Sequence, residues 1–488
     1  MTEYEFLAGF VVLLPLLAAV FPLVGSVRYS RIGWHVAAIV LTINLAIATY
    51  LAWLVYATGR IRYALAGIDI PYGVELHVDA FSATIILLDS LLALAVLGYT
   101  RTAGPRGNSF YSAYLLLTGG IIGIAVAGDL FNLYVFLEVM GIASYAIIVT
   151  GTSRWSTYAA MKYLLMGTVG ATIYLLGVTF VFATTGTLNM IGASEQLAAV
   201  GHTEPVVTTA FVLLVVGLAV KIALVPVHTW LGDAHAAAPS AVSAMLSGLM
   251  PAAAVYALTR VLFTTFTVDF LRMNPWLWRS LVAVALLSLL VANFIAVLQR
   301  DVKLMLAYST ISQFGLVVAG LAIANETAVF GSILHIFGHG VIKGGLFLVA
   351  GMFTLRYGVR TVEEYAGLAK HAPLLGLAFA GLAIAMIGLP PTVGFVGKWY
   401  IALGAIRAGM WLVAALVVVS TLLTVMYTLP FINQLYFRDL PETIEPTPDV
   451  TRTMLAVVVL ATVFSIVLGL VSAWLESALS ETIQELLR

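Results

Sequence analysis

The stretch "LAVKIALVPVH", Leu218 to His228, puts a lysine and a proline inside a run that is almost wholly apolar from Val206 to Val227. A lysine at the centre of a membrane helix costs roughly 2.5–3.5 kcal/mol on insertion scales, so Lys221 needs a reason to be there. Pro226, five residues on, has no backbone N–H to give and frees carbonyls in the turn before it. Irregular backbone at such depth is tolerated only where it lines a polar cavity or is buried in protein. The motif recurs: "LAIAMIGLP", Leu382 to Pro390, matches "LAVKIALVP" in register over nine residues and runs into Pro390 and Pro391.

The rest of the chain agrees with a membrane setting. Of 488 residues, 62% are hydrophobic and 9% charged, whereas soluble domains carry about 25% charged residues. Such a chain has far more apolar surface than one soluble core can hold. The formal net charge is zero, so neither a nucleic-acid partner nor an acidic ligand is indicated. Cysteine is absent, which excludes disulfides, thiolate metal sites and cysteine nucleophiles. The opening "MTEYEFLAGF" lacks a basic leader and a small-residue cleavage site, so its apolar run is expected to be a retained helix.

Apolar runs of about 20 residues predict about fourteen membrane helices. They lie near 5–25, 34–57, 79–99, 110–127, 130–150, 158–184 and 206–227. The second set lies near 239–264, 276–298, 303–323, 328–354, 372–403, 410–436 and 452–474. The run 372–403 contains "GLPPTVG", Gly388 to Gly394, and is expected to be two half-helices. The matching motifs sit in spans seven and twelve. Five helices apart is an odd number, so the second copy enters the bilayer upside down, the inverted-repeat layout of many secondary transporters.

The expected fold is therefore an all-α polytopic membrane protein with two inverted five-helix repeats and broken helices 7 and 12. Its parts are 1–109 (three helices), 110–264 (first repeat, helices 4–8), 265–436 (second repeat, helices 9–13) and 437–488 (last helix and tail). Only the loops 185–205, 356–371 and 437–451 have much length or polarity. The tail "ESALSETIQELLR", 476–488, reads as a short amphipathic surface helix. Arg28, Arg31, Arg101, Arg106, Arg154, Arg300, Lys303, Arg356, Arg360, Lys370, Arg438 and Arg452 fall on one side of this topology. Arg60, Arg62, Arg260, Arg272, Arg279 and Arg407 fall on the other. By the positive-inside rule the first group faces the cytoplasm and both termini face outward.

Few charges lie deep in the spans. Glu138, in "LYVFLEVMGIASY", is near the middle of its helix, and Lys221 is one turn before the first break. His335, His339 and Lys343, in "HIFGHGVIKGG", are spaced i, i+4, i+8, which puts them on one helix face about 6 Å apart per step. Lys398 follows the second break. An amine and a carboxylate in a low-dielectric site each set the other's charge, and histidine titrates near neutrality. A row of Glu, Lys, His and Lys at one depth reads as a proton or cation path. The same residues also fit static ion pairs that hold helices together. Asp89, alone on its helix, suits structural pairing equally well, and Lys162 and Lys303, near span ends, are expected to snorkel. There is no Walker loop, dinucleotide fingerprint or HExxH helix, so no cofactor is expected on this chain.

Four passages then carry a family likeness: "VKIALVPVHTWLGDAHAAAPSAVSAMLSG" (220–248), "RDVKLMLAYSTISQFG" (300–315), "HIFGHGVIKGGLF" and "FNLYVFLEVMGIASYAI". The chain resembles the antiporter-like subunits shared by respiratory complex I, membrane-bound hydrogenases and Mrp-type multisubunit sodium/proton antiporters. Length and wording resemble the Mrp D subunit best, and the likeness covers helices 4 to 13. It implies 14 helices, with Glu138 and Lys221 as a coupled pair, His335 and His339 as the helix 11 relay, and Lys398 as the terminal lysine. His228 would lie beside the channel. One position departs from the family: Ala252 stands where a helix 8 lysine is usual, and Pro251 beside it could open the backbone to water.

The resemblance implies a proton-translocating subunit of a multisubunit sodium/proton antiporter in a prokaryotic inner (cytoplasmic) membrane. Its partners would be other membrane subunits, protons, sodium ions and the bilayer. Two alternatives are the pumping subunit of a redox complex and a non-conducting scaffold, the latter supported by Ala252.

Overall fold

A computed structural model describes residues 4–29, 31–67, 73–439 and 450–488. Among these, thirteen helices are long and apolar enough to cross a membrane. A fourteenth position is filled by two half-helices, so every predicted span is occupied. Helices 1 to 6 are Phe6–Gly25, Ile32–Thr58, Ala80–Thr100, Asn108–Val126, Leu130–Val149 and Arg154–Thr185. Helix 7 is split into 7a (Pro205–Ile222) and 7b (Thr229–Ala237). Helices 8 to 11 are Ser240–Thr265, Pro275–Leu298, Val302–Ile323 and Glu326–Tyr357. Helix 12 is split into 12a (Pro373–Ile387) and 12b (Val393–Arg407). Helix 13 is Trp411–Phe437 and helix 14 is Arg452–Leu470. The tail helix, Ser472–Leu486, buries Leu479, Ile483 and Leu486 and exposes Trp474, as an amphipathic segment should. Most of the predicted loop 437–451 lies outside the described residues.

Helices 8, 10 and 11 form the centre, because their apolar residues run all the way round and almost every position is buried. Helices 1, 2, 6, 13 and 14 form the rim and keep an apolar face outward. In a bilayer that face is solvated by lipid, so it carries no penalty.

Two matching hydrogen-bonded bridges show the inversion. At the start of helix 5, Asp129 bridges Asn189; Leu130 N donates to Leu188 O at 3.0 Å and Met190 N to Gly128 O at 3.1 Å. At the start of helix 10, Asp301 bridges Thr361; Val302 N donates to Arg360 O at 3.0 Å and Val362 N to Arg300 O at 2.9 Å. Each aspartate also caps its helix, Asp129 accepting from Asn132 N at 2.7 Å and Asp301 from Leu304 N at 3.1 Å. The first bridge abuts Glu75, whose carbonyl accepts from Gly128 N at 2.9 Å, beyond the end of helix 4. The second lines a cavity with Gly104 and Pro105, just before helix 4 begins. One motif therefore sits at each end of helix 4, on opposite faces of the bundle.

The breaks correct the register read from sequence. Helix 7a ends at Ile222 with Ala223 left-handed (φ 64°), and 12a ends at Ile387 with Gly388 left-handed (φ 89°). Leu224 N returns to Ala219 O at 2.9 Å and Leu389 N to Ile384 O at 3.3 Å. Ile222 thus corresponds to Ile387 and Pro226 to Pro391, one residue later than the match of Leu218–Pro226 with Leu382–Pro390. Leu/Ala/Ile runs fit several registers, whereas hydrogen-bond closure fixes one.

Three elements are not evident in the sequence. Ile61–Ala64 and Glu75–Val78 pair as an antiparallel hairpin, with Ile61 opposite Val78. Met190–Val200 is helical within the loop predicted at 185–205, and Asn189 caps it by accepting from Gly192 N at 3.0 Å. The third is 7b. At the hairpin end, Arg260, in the widened last turn of helix 8, donates to Asp79 Oδ2 at 2.6 Å, Ser82 Oγ at 3.0 Å and Tyr256 Oη at 2.8 Å. This buried clasp ties helix 8 to the start of helix 3.

Candidate functional site

Glu138 projects from helix 5 and Lys221 from the last turn of 7a, with Nζ 2.9 Å from Oε1. The lysine side chain is 2% exposed and the glutamate 23%, so the pair runs from the interior to the flank of the bundle. Gly141, one turn after Glu138, gives the ammonium its space: a Cβ there would lie 2.9 Å from Nζ. The Val220 carbonyl, in the last turn of 7a, accepts from Ala223 N at 3.2 Å and from Trp230 Nε1 at 2.9 Å. Trp230 stacks flat on Tyr163 with centroids 3.7 Å apart, seating 7b across the gap. Pro226 lies in the intervening turn, where Val225 N donates to Ser288 Oγ at 2.9 Å.

His228 closes that turn, half-buried. It faces Tyr308, 6.5 Å away ring to ring, and is influenced by Lys162 rather than sitting on the Glu138–Lys221 pair. Lys162 and Lys303 do not snorkel. Lys162 pairs with Asp233 of 7b at 2.7 Å, and Lys303 donates to Ala238 O at 2.8 Å. Both amines are claimed by the half-helix that sequence reading runs together with the loop.

The second half is organised by helix 10 lying against helix 11. Lys343 donates to Leu306 O at 3.0 Å and to Ser309 Oγ. His335 Nε2 meets Gln313 Oε1 at 2.9 Å. His339 lies between them, 6.4 Å from the His335 ring, edge-on to Phe314 at 4.7 Å and against the backbone of Ser247. The i, i+4, i+8 face predicted from sequence is thus formed and buried. Lys398, on 12b, donates to Met386 O at 3.1 Å and Ile387 O at 2.9 Å, the carbonyls left open where 12a ends before Pro390 and Pro391. A cation at a helix C-terminus is favoured by the dipole, so Lys398 is held by backbone where Lys221 is held by a carboxylate.

Gly397, beside Lys398, lets 12b pack directly on helix 11 at His335: a Cβ there would come 2.8 Å from both Nδ1 and Cβ of His335 and 3.1 Å from its Cα. Gly397→Ala is therefore expected to force helices 11 and 12b apart at His335 and to lower the thermal stability of the protein; thermal unfolding checks this, and an unchanged midpoint would count against the close approach.

Between the halves, helix 8 carries neutral groups. Ser144 Oγ meets Met250 Sδ at 3.1 Å, and Ser247 Oγ pairs with Thr310 Oγ1 at 2.7 Å. Ala252 is buried beside them. Asp89 is wholly buried and neither oxygen has a hydrogen-bond partner, so the structural pairing that its isolation suggested is not formed. Among the described residues, no group of three or more His, Asp or Glu is arranged to hold a metal.

Residues 127–424 match the family described as NADH:quinone oxidoreductase/Mrp antiporter, transmembrane. The chain is 42% identical over 388 residues to the N subunit of the NADH-quinone oxidoreductase of Desulforudis audaxviator, covering 78% of this chain and 76% of that one. It is 30% identical over 448 residues to the D-type polypeptide of the Na(+)/H(+) antiporter of Bacillus subtilis, covering 91% and 90%. A subunit of the membrane-bound sulfane sulfur reductase, an archaeal respiratory membrane complex, superposes with a TM-score of 0.92 at 28% identity, over 99% of this chain and 98% of that one.

Proposed function

We propose, for a chain that belongs to the NADH:quinone oxidoreductase/Mrp antiporter family, that it moves protons within a multisubunit sodium/proton antiporter. The observation that carries this reading is the part-buried Glu138–Lys221 pair at 2.9 Å, followed by titratable side chains on helix 11 and Lys398 on 12b. Removing one partner of a buried ion pair costs roughly 3–5 kcal/mol, so a proton arriving at Glu138 alters the energy of the Lys221 charge. Lys343, His339 and His335 then offer successive sites toward Lys398, with the hydroxyls of Ser247 and Thr310 spanning the gap at Ala252. His228 flanks the first half. The partial exposure of Glu138 on the bundle flank suits a neighbouring membrane subunit. By the positive-inside rule, the arginine-rich loops support a reading in which the face with Arg101, Arg154, Arg300 and Arg360 is cytoplasmic and both termini lie outside. The near full-length match to a D-type antiporter polypeptide supports sodium as the exchanged ion.

A redox-driven complex is the second reading, favoured by the 42% identity to a polypeptide of an NADH-quinone oxidoreductase. Vesicles containing the assembled complex separate the two. With an imposed proton gradient, added sodium is expected to dissipate it. A gradient insensitive to sodium and built only when a reductant is supplied would overturn the antiporter reading in favour of the second.

A further inference from the structure

His235 takes no part in the path described so far, yet its surroundings single it out. It lies on 7b, wholly buried, and neither ring nitrogen has a hydrogen-bond partner. Its ring stacks on Phe347 of helix 11, centroids 4.9 Å apart and planes 13° from parallel. Phe347 is one helical turn beyond Lys343, and the two amines that act on the His235 ring are Lys343 of helix 11 and Lys303 of helix 10. Ala236 to Ser240, next along from His235, line a cavity of about 730 Å³ at the arginine-rich end, together with Asp301, Lys303 and Arg360. Imidazole buried with both nitrogens unsatisfied is costly, and a structural filler here would serve better as phenylalanine.

We infer that His235 is the inlet of the second half: it passes protons between the cavity at the arginine-rich end and Lys343. This rests on the proton-moving reading above and adds an entry point to it. An N–H bond forms on one ring nitrogen as a proton arrives from the cavity. The N–H on the other nitrogen then breaks, its proton going to the neutral Lys343 amine, so charge and atoms balance without any oxidant. Lys343 suits the receiving role because its partners, Leu306 O and Ser309 Oγ, are neutral. The inlet also removes the need for a helix 8 amine at Ala252, because protons reach helix 11 without crossing from Lys221.

The test uses the complete complex in vesicles, with His235→Phe, His235→Gln and His235→Ala. Both His235→Phe, which keeps the stack on Phe347, and His235→Gln, which keeps polarity, are expected to assemble and to lose at least tenfold in proton flux. Added imidazole, entering through the cavity, is expected to restore flux to His235→Ala, which a packing role would not allow. Wild-type flux and an unchanged pH profile in either His235→Phe or His235→Gln would overturn the assignment; if His235→Phe does not assemble, His235→Gln decides alone. A wild-type complex that moves no protons would instead overturn the functional reading itself.

Discussion

Lys221→Ala is expected to reduce proton-coupled flux at least ~100-fold, equivalent to about 2.7 kcal/mol on the transport barrier, while the complex still assembles. The reason is geometric. Lys221 Nζ is the partner of Glu138 Oε1, at 2.9 Å. It also stands at the C-terminus of 7a, where the Val220 carbonyl is already taken by Ala223 N and Trp230. Loss of the amine therefore removes the pair without exposing new backbone. Glu138→Gln keeps the shape and removes the charge and is expected to match it, whereas Glu138→Asp, with a shorter reach, retains part of the flux. Everted vesicles with a pH-sensitive dye give the rate, and native gels report assembly. Full flux in Lys221→Ala would leave only the scaffold reading, in which these charges merely bind helices together.

The largest effect on stability is expected at the opposite kind of pair. Asp79→Ala strips the partner from Arg260 and the cap from helix 3, where Asp79 Oδ1 accepts from Ser82 N at 2.9 Å. An uncompensated buried charge costs roughly 3–5 kcal/mol, a large share of the ~5–15 kcal/mol that holds a typical fold. Asp79→Asn retains the cap and should cost less; pairing it with Arg260→Gln should recover part of the loss. Thermal unfolding of the purified complex reads all three.

Acid should act at the same place. Burial pushes the Asp79 carboxyl up, but Arg260, His77 and the Ser82 N–H outweigh it and hold it at about 2. Burial pushes His77 down to about 4, against the pull of Asp79. Both groups bind fewer protons folded than unfolded. Their contribution is therefore complete above about 6.5 and is lost as pH falls, first through the His77 range and then toward 2.

Much of this architecture is legible in the residues because lipid enforces simple rules. Long apolar runs must be helices, and charges or prolines inside them must be answered for. That logic locates the spans, both breaks and the helix 11 face. It fails where partners come from far along the chain. Asp233 claims Lys162 and Ala238 claims Lys303 only because 7b folds back beneath the break. The hairpin at Ile61–Val78 alternates too weakly to announce itself, and Met190–Val200 is polar enough to read as loop. His235 does not stand out within its motif because its meaning depends on Phe347 and a cavity whose lining is gathered from distant parts of the chain.

Helices 6 and 11 are each 32 residues long, about 48 Å as straight rods. The hydrocarbon layer is about 30 Å thick, and about 40–45 Å with its headgroup zones. Neither rod fits upright within the oily layer, and helix tilt is the ordinary answer to such mismatch. The two rods hold equivalent places in the two inverted halves, and Lys343 and the two imidazoles ride on helix 11, so the way that rod is accommodated in the bilayer decides the depth at which they stand.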